Sequence, residues 1–561
     1  MIVAGEAEDE DQKRWKLITL ALALAAGAWA AWAFAPLARG YFLSDDFVPM
    51  VLFRQWQEEG RLGAALFSKF WSSLDAGENF FYRPLSYLTF AINYLASGSE
   101  PRSWLATEVA IHVLNGVMAG AIGVRAAQER PDARAVAAGV AGAALFIFFA
   151  PGAEVLAWIS GRFDATATFF TLLACLLFQG SKRFGDWASW LSLLSAEAAF
   201  LCKESAAIVP FAILFLARLR PDVLAEATKM RRWIGALRHA WPWLVLAALY
   251  LVSRYLMFGS FTRVYGGTSP LADLFAPGYL PGVAETLPAW LAGQFRPAYR
   301  FPFLCVLTVA QLAIIAFARP RDARAREAIF CAASLLALTL LLILPHVGKL
   351  REDGLGGRLL YQSAVFYAVL VTIALRHARV AYLMWGMTLA VVLLQAAFQY
   401  HAIMRWNAAH AAMRALGGEI GRLGAGGNPG DFTLVLVPPD LDDIPFARNA
   451  QGGLMLPPLF PPGMSTRILV QTSDEIPLIG DKVATGVVST LKGRSVFDYL
   501  AGKRIVTTPP EYPSEVMCFA SDRRRLIPLA VATGPTTDAW GAALKRAYDT
   551  SPCFTNAPRT R

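Results

Sequence analysis

Residues 15–47 read WKLITLALALAAGAWAAWAFAPLARGYFLSDDF, an apolar run that ends almost directly on two adjacent acids, Asp45 and Asp46. The run reaches the ~20 residues that a helix needs to cross a bilayer, so it reads as a retained span rather than a removable signal peptide. Its carboxylates then lie close to a membrane surface. Of the 561 residues, 56% are hydrophobic and 17% charged, with a mean hydropathy of +0.42. A soluble chain this long needs more charge to cover its surface. Similar runs follow near 103–125, 134–150, 163–180, 187–201, 205–218, 241–258, 301–318, 328–345, 358–376 and 380–400. The expected architecture is mainly α, a polytopic membrane protein of about eleven transmembrane helices.

Basic residues assign the sides. Arg218, Arg220, Lys229, Arg231, Arg232 and Arg238 lie in 218–238, and Arg319, Arg321, Arg324 and Arg326 in 319–326; Lys182, Arg183, Arg376 and Arg379 occupy shorter loops. All fall on one side if the N-terminus is cytoplasmic, and an odd number of spans then puts the C-terminus outside. Residues 284–299 are also apolar, but a span there would export the Arg319–Arg326 cluster, so the segment reads as interfacial or re-entrant. The formal charge of +10 is spread between apolar runs rather than along one stripe, which speaks against a nucleic-acid partner. High Ala, Arg and Gly usage fits a bacterial source and hence an inner membrane.

Two long regions face outward on this topology. The first loop, 38–102, is expected to carry short helices along the membrane. The tail, 401–561, starts helically, passes a Gly-rich hinge (Gly424 to Gly430) and enters a strand-like run, Phe432 to Val437. It is long enough for a small extracytoplasmic α/β domain beside a membrane domain of residues 1–400. Cys175, Cys202, Cys305 and Cys331 fall in or beside apolar runs, whereas Cys518 and Cys553 are the pair in the tail. A disulfide between those two is permitted outside the cell, two free thiols being the alternative. No Cys/His spacing resembles a zinc site.

Ionisable residues at the outer ends of spans carry the functional signal, because charges at membrane depth are costly unless paired or used. Asp45 and Asp46 could serve as a general base or hold a cation, or simply cap a helix. Arg83 precedes the Pro that starts an amphipathic helix; an interfacial anchor is its plain alternative. Glu154, Arg162 and Asp164 share the hairpin 154–164, where an internal ion pair competes with a functional role. Lys203 and Glu204 sit at a tight outer turn, either a salt bridge or a working pair. Arg358 and Tyr361 open an outer-facing helix after His346, Lys349 and Arg351. Cations with carboxylates on this face are the inventory that would cradle a lipid phosphate beside a base.

In this order, Ser44-Asp-Asp46, Tyr82-Arg-Pro-Leu85 with Asn93-Tyr94, and His112 with Asn115 resemble the GT-C superfamily of membrane glycosyltransferases. Glu154 to Asp164, Lys203-Glu-Ser205 with Pro210, and Arg358-Leu-Leu-Tyr361 continue the likeness. The chain looks like the protein O-mannosyltransferase and TMTC-like branch and, more distantly, lipid A aminoarabinose transferases, over roughly residues 15–400. The resemblance implies inverting sugar transfer from a polyprenyl-phosphate donor to an exported protein, glycan or lipid. By carry-over Asp45 is the base, and Lys203, Arg358, Tyr361 and Arg83 serve the donor phosphate. Asp46, Glu154, Asp164, Arg162 and Glu204 stand behind them, towards the acceptor or a divalent cation, whose need varies across the superfamily. This chain departs from the TMTC-like pattern in lacking histidines just before Glu154 and a tetratricopeptide array.

Three rivals remain in view. His346, Lys349 and Arg351 would suit an oligosaccharide ligase with a pyrophosphate-linked donor. A transporter or lipid flippase would show repeated halves or broken midplane helices, and neither is evident. A non-catalytic scaffold would tolerate loss of Asp45.

Overall fold

A computed structural model describes residues 2–70, 81–128, 131–259, 261, 279, 281, 302–317, 320, 322–344, 356–377, 381–426, 433–442, 444–448, 468–473, 515–531, 543–544, 546–547, 550–551 and 553. The segment 284–299 and residues His346, Lys349 and Arg351 lie outside them. Each of the eleven apolar runs falls on a helix, from Ile2–Phe34 and Pro101–Ala127 through Arg162–Gly180 and Lys229–Phe258 to Ala323–Ile343, Tyr361–His377 and Ala381–Gly426. Among the described residues, seven helices are long and apolar enough to cross a membrane. An eighth arises if Ala133–Ile147 and the segment Ala150–Ala157, bent by 55°, count as one span. The protein is an integral membrane protein. Pro151 sits in that bend, where its missing N–H and bulky ring interrupt a helix.

The remaining runs make shorter helices, Trp187–Phe200, Glu204–Ala217 and Pro302–Phe317. Glu204–Ala217 is largely enclosed, with Ala206, Ile208, Val209, Ala212 and Ile213 wholly buried. A helix wrapped by protein need not match the bilayer's full thickness. By contrast, Leu17, Leu20 and Leu24 of the first helix stay exposed, as lipid-facing side chains do.

Small residues bring the central helices together. A Cβ on Gly120 would lie 2.3 Å from the Gly139 carbonyl oxygen, so Pro101–Ala127 and Ala133–Ile147 touch backbone to backbone there. At one end of the bundle, Asp132, Asp186 and Asp322 each accept a backbone N–H in the first turn of the helix they cap. Arg376 Nη2 reaches Asp132 at 2.6 Å and Arg218 Nε reaches Glu327 at 2.6 Å at the same end. This is where the basic loops gather.

The opposite end carries short helices at Phe47–Glu58, Leu62–Ser68 and Pro84–Ser97. The last membrane helix, Ala381–Gly426, runs unbroken through residue 400, where hydropathy alone sets the domain boundary. At 1.5 Å per residue its 46 residues span about 70 Å, well beyond a bilayer core. Its far end meets a sheet of strands β1 (Thr433–Val437), β4 (Ile468–Thr472), β5 (Glu515–Ala520) and β6 (Arg525–Pro528) in the order β4-β1-β5-β6. A hairpin of β2 (Asp440–Leu441) and β3 (Ile444–Pro445) stands apart. β1 is parallel to β4 and β5, and β6 returns antiparallel. Glu419 Oε2 accepts the Leu526 N–H at 3.1 Å, tying helix to sheet, and Cys518 on β5 is disulfide-bonded to Cys553.

Candidate active site

Asp45 and Asp46 occupy a single 3-10 turn, Ser44–Asp46, but their surroundings differ. Asp45 is half-buried. Asp46 is fully buried and consumed by the protein: Oδ2 accepts the Leu43 N–H at 3.0 Å, and Oδ1 accepts both the N–H and the hydroxyl of Ser160 at 2.8 Å. Burial pushes its carboxyl up to about 7, against the pull of those hydrogen bonds and with Asp45 adding repulsion. Asp46 therefore pins the turn to the 154–164 hairpin, which separates its role from that of its neighbour.

Beyond the hairpin lies a cluster of charges from five different parts of the chain. Lys203 Nζ donates to both oxygens of Asp164 at 2.6 Å. Arg83 reaches Glu204 Oε2 through Nε at 3.2 Å and Nη2 at 2.8 Å, and Arg254 Nη1 approaches Glu204 Oε1 at 3.5 Å. Glu154 Oε2 accepts the Arg358 backbone N–H at 3.0 Å, and the Arg358 Nε stands 3.8 Å from Oε1. Four cations thus face three carboxylates. Desolvation pulls the Lys203 ammonium below the ordinary lysine value; Asp164 opposes that, while Arg83 and Arg358 reinforce it.

Local sequence explains the placement. Pro84 begins a helix, leaving Arg83 just outside its first turn with its guanidinium 5.1 Å from the Phe163 ring centre. The residues Cys202 and Lys203 join two short helices, so Lys203 sits in extended backbone between them. Gly357 fits tightly: a Cβ there would lie 2.5 Å from the Pro151 carbonyl oxygen. Only that close approach lets the Arg358 N–H reach Glu154, while its guanidinium packs over Trp158 at 4.6 Å.

Two residues expected at the site are buried and bonded to partners inside the protein. Arg162 is fully buried, with Nε 2.6 Å from Glu108, Nη1 bonded to Asn93 and the Thr89 carbonyl, and Nη2 bonded to the Trp104 carbonyl. Its guanidinium lies over Phe90 at 4.7 Å. The internal ion pair is the reading that fits it. Tyr361 is also buried, its hydroxyl 2.8 Å from His112 Nδ1 and 3.3 Å from Asn115 Nδ2. Those two bonds brace the start of its helix. Arg254, by contrast, joins the cluster with a single signal in the sequence, a lone arginine inside the apolar run 241–258. Among the described residues, no group of three or more His, Cys, Asp and Glu is gathered to hold a metal ion.

The arrangement offers a half-buried carboxylate on a pinned turn and, at the same end of the bundle, a set of basic groups able to bind phosphate. No family model matches the chain. It is 32% identical over 148 residues to protein O-mannosyl-transferase Tmtc1 of Drosophila melanogaster, covering 26% of this chain and 16% of that protein. It is 31% identical over 206 residues to protein O-mannosyl-transferase TMTC4 of Homo sapiens, covering 32% and 27%. The chain therefore aligns with only about a sixth to a quarter of the length of these relatives. Among solved structures it is similar to ArnT from Cupriavidus metallidurans in the apo state, with a TM-score of 0.33 and 16% identity over 87% of this chain and 96% of that one. The same protein bound to undecaprenyl phosphate gives 0.31 and 15% over 88% and 97%. The chain is a polytopic membrane protein, similar in part of its sequence to the TMTC-type protein O-mannosyltransferases.

Proposed function

We propose that the chain is an inverting glycosyltransferase that moves one sugar from a polyprenyl-phosphate donor to an exported protein, glycan or lipid at the outer face of its membrane. The observation that carries this reading is the convergence of Arg83, Lys203, Arg254 and Arg358 at the end of the bundle that also holds the Asp45–Asp46 turn. The partial sequence likeness to sugar transferases supports the reaction class. The gathering of Arg125, Arg218, Arg220, Arg324 and Arg376 at the opposite end supports the orientation, since basic loops stay cytoplasmic.

In this reading Asp45 takes the proton of the acceptor hydroxyl as its oxygen attacks the anomeric carbon. The bond from that carbon to the phosphate oxygen breaks, and the lipid phosphate leaves with the electron pair. Negative charge grows on the phosphate in the transition state, where preorganised cations stabilise it most. Lys203, Arg83, Arg254 and Arg358 supply those cations. Their carboxylate partners keep them charged and oriented before the donor arrives. Asp46 fixes the turn through Ser160 and Leu43. In this reading the tail, 401–561, faces outward, where it can recognise the acceptor or lid the site.

The test is direct: purified protein in lipid is given defined polyprenyl-phosphate sugars and candidate acceptors, and products are read by mass spectrometry. Transfer from a monophosphate donor supports the reading. Transfer only from a pyrophosphate-linked oligosaccharide would replace it with the ligase.

A further inference from the structure

The turn that carries Asp45 is not held by the membrane helices alone. Ser44 is a non-glycine residue at φ 48°, a left-handed conformation that an L side chain adopts at a cost unless its surroundings impose it. The surroundings come from the far end of the chain. The Ser44 N–H donates to the Phe446 carbonyl at 3.0 Å, and the Ser44 hydroxyl donates to the Arg448 carbonyl at 2.8 Å. Ser44 is 1% exposed, so these bonds are made without competition from water.

The segment that accepts them is itself anchored. Phe446 is fully buried and stacks on Phe519 of β5, centroids 5.9 Å apart and planes 12° apart. The Phe446 and Ala447 N–H groups both donate to the Pro439 carbonyl, at 2.9 and 3.0 Å, closing the β2–β3 hairpin on itself. Arg448 pairs with Asp440 and Arg405 bonds the Asp442 carbonyl, which join the hairpin's own ends and link it to the long helix. Phe519 follows Cys518, the disulfide partner of Cys553. A continuous path of packed and bonded groups thus runs from the sheet through Phe519 and the segment 446–448 to Ser44, the residue next to Asp45. On the other side, Asp46 is held by Ser160. Asp45 stands between the two clamps.

We propose that the tail domain is an integral part of the catalytic centre, with Ser44 as a positioning residue through which residues 446–448 hold the Asp45 carboxylate in its working geometry. This rests on the transferase reading for its kinetic arm, but the clamp itself can be read without turnover. Ser44 is buried, with its N–H and its hydroxyl both committed to residues 446–448. Its loss should therefore lower kcat and leave the KM for donor unchanged.

The experiment uses the full chain in lipid nanodiscs with Ser44→Ala, Phe446→Leu and the double variant; the leucine keeps an apolar side chain so that the tail folds. Deuterium uptake of the peptide covering 42–48 is measured first, with no substrate. Each single variant should exchange about tenfold faster there, with residues 159–164 unchanged. Kinetics with a polyprenyl-phosphate sugar follow. Each single variant should lose about tenfold in kcat at constant KM, and the double variant should lose no more than the worse single one, because both act through one path. Independent, multiplying losses, or unchanged exchange at 42–48 in Phe446→Leu, would overturn the proposal. A wild-type chain that clamps its turn but transfers no sugar would sink the transferase reading and leave the clamp standing.

Discussion

Lys203 Nζ lies 2.6 Å from each carboxylate oxygen of Asp164, a two-point contact between side chains 39 residues apart. The pair sits where the Lys203 side chain is 15% and that of Asp164 9% exposed, so neither charge is fully solvated. A phosphate entering beside it can share the ammonium, whereas an isolated lysine at this depth would lose its proton more readily. Lys203→Ala should weaken donor binding by about ten- to a hundredfold, the usual worth of hydrogen bonds to a charged group. Titration of a polyprenyl-phosphate sugar reads this, and a variant with wild-type affinity would remove Lys203 from the phosphate site.

Arg162 and Glu108 make the opposite kind of pair, with both side chains at 0% exposure. Removing one partner leaves a buried charge uncompensated, which costs about 3–5 kcal/mol. Glu108→Ala should therefore depress the melting temperature sharply, while Arg162→Met with Glu108→Leu recovers part of the loss. Thermal melts in detergent distinguish this from a site role: surviving single variants should keep the wild-type KM for donor.

Asp46 gives a pH signature. Its folded-state pKa, raised to about 7 by burial, exceeds the ordinary aspartate value, so between about pH 4 and 7 the folded chain holds the proton and the unfolded chain does not. The group's stabilising contribution is then full below about pH 4 and lost as pH rises through 7, with a slope on the order of 1.4 kcal/mol for each pH step of one across that window. Asp46→Asn should flatten that part of the stability profile. An unchanged slope in the variant between about pH 4 and 7 would contradict the burial argument.

The Cys518–Cys553 disulfide closes a loop of sequence separation 35 in the tail. Chain-entropy reasoning gives such a loop about 3–4 kcal/mol. Cys553→Ser should destabilise the tail by about that much, read as a lower unfolding temperature for the tail, and leave the membrane bundle's transition in place. Coincident loss of both transitions would show that the two parts do not unfold separately.

The fold is legible in the sequence because lipid imposes a simple rule: an apolar run of span length must be helical, and all eleven runs are. The bend at Pro151 and the shortness of Glu204–Ala217 are less visible, since enclosed helices escape the length requirement. Most of the charge cluster stands out in the sequence as ions out of place, but its pairing does not. Lys203 with Asp164, Arg83 with Glu204, and Tyr361 with His112 depend on which helices pack together, and no spacing encodes that. Arg162 looks like a site residue for the same reason that Lys203 does, as a charge in an apolar stretch, and Tyr361 through its match to the family motif. Burial and partners separate them. Arg254 escapes notice because the surrounding run reads simply as a span, and Ser44's bonds to residues 446–448 cross some 400 residues of sequence.

The central claim is that Asp45 removes the acceptor's proton. Asp45→Asn keeps the size and hydrogen-bonding outline of the side chain but cannot act as that base. Its single-turnover rate with a purified polyprenyl-phosphate sugar and acceptor should fall at least about a hundredfold, the lower range for general base catalysis, with donor affinity and melting temperature unchanged. A variant that transfers sugar at the wild-type rate would contradict the mechanism.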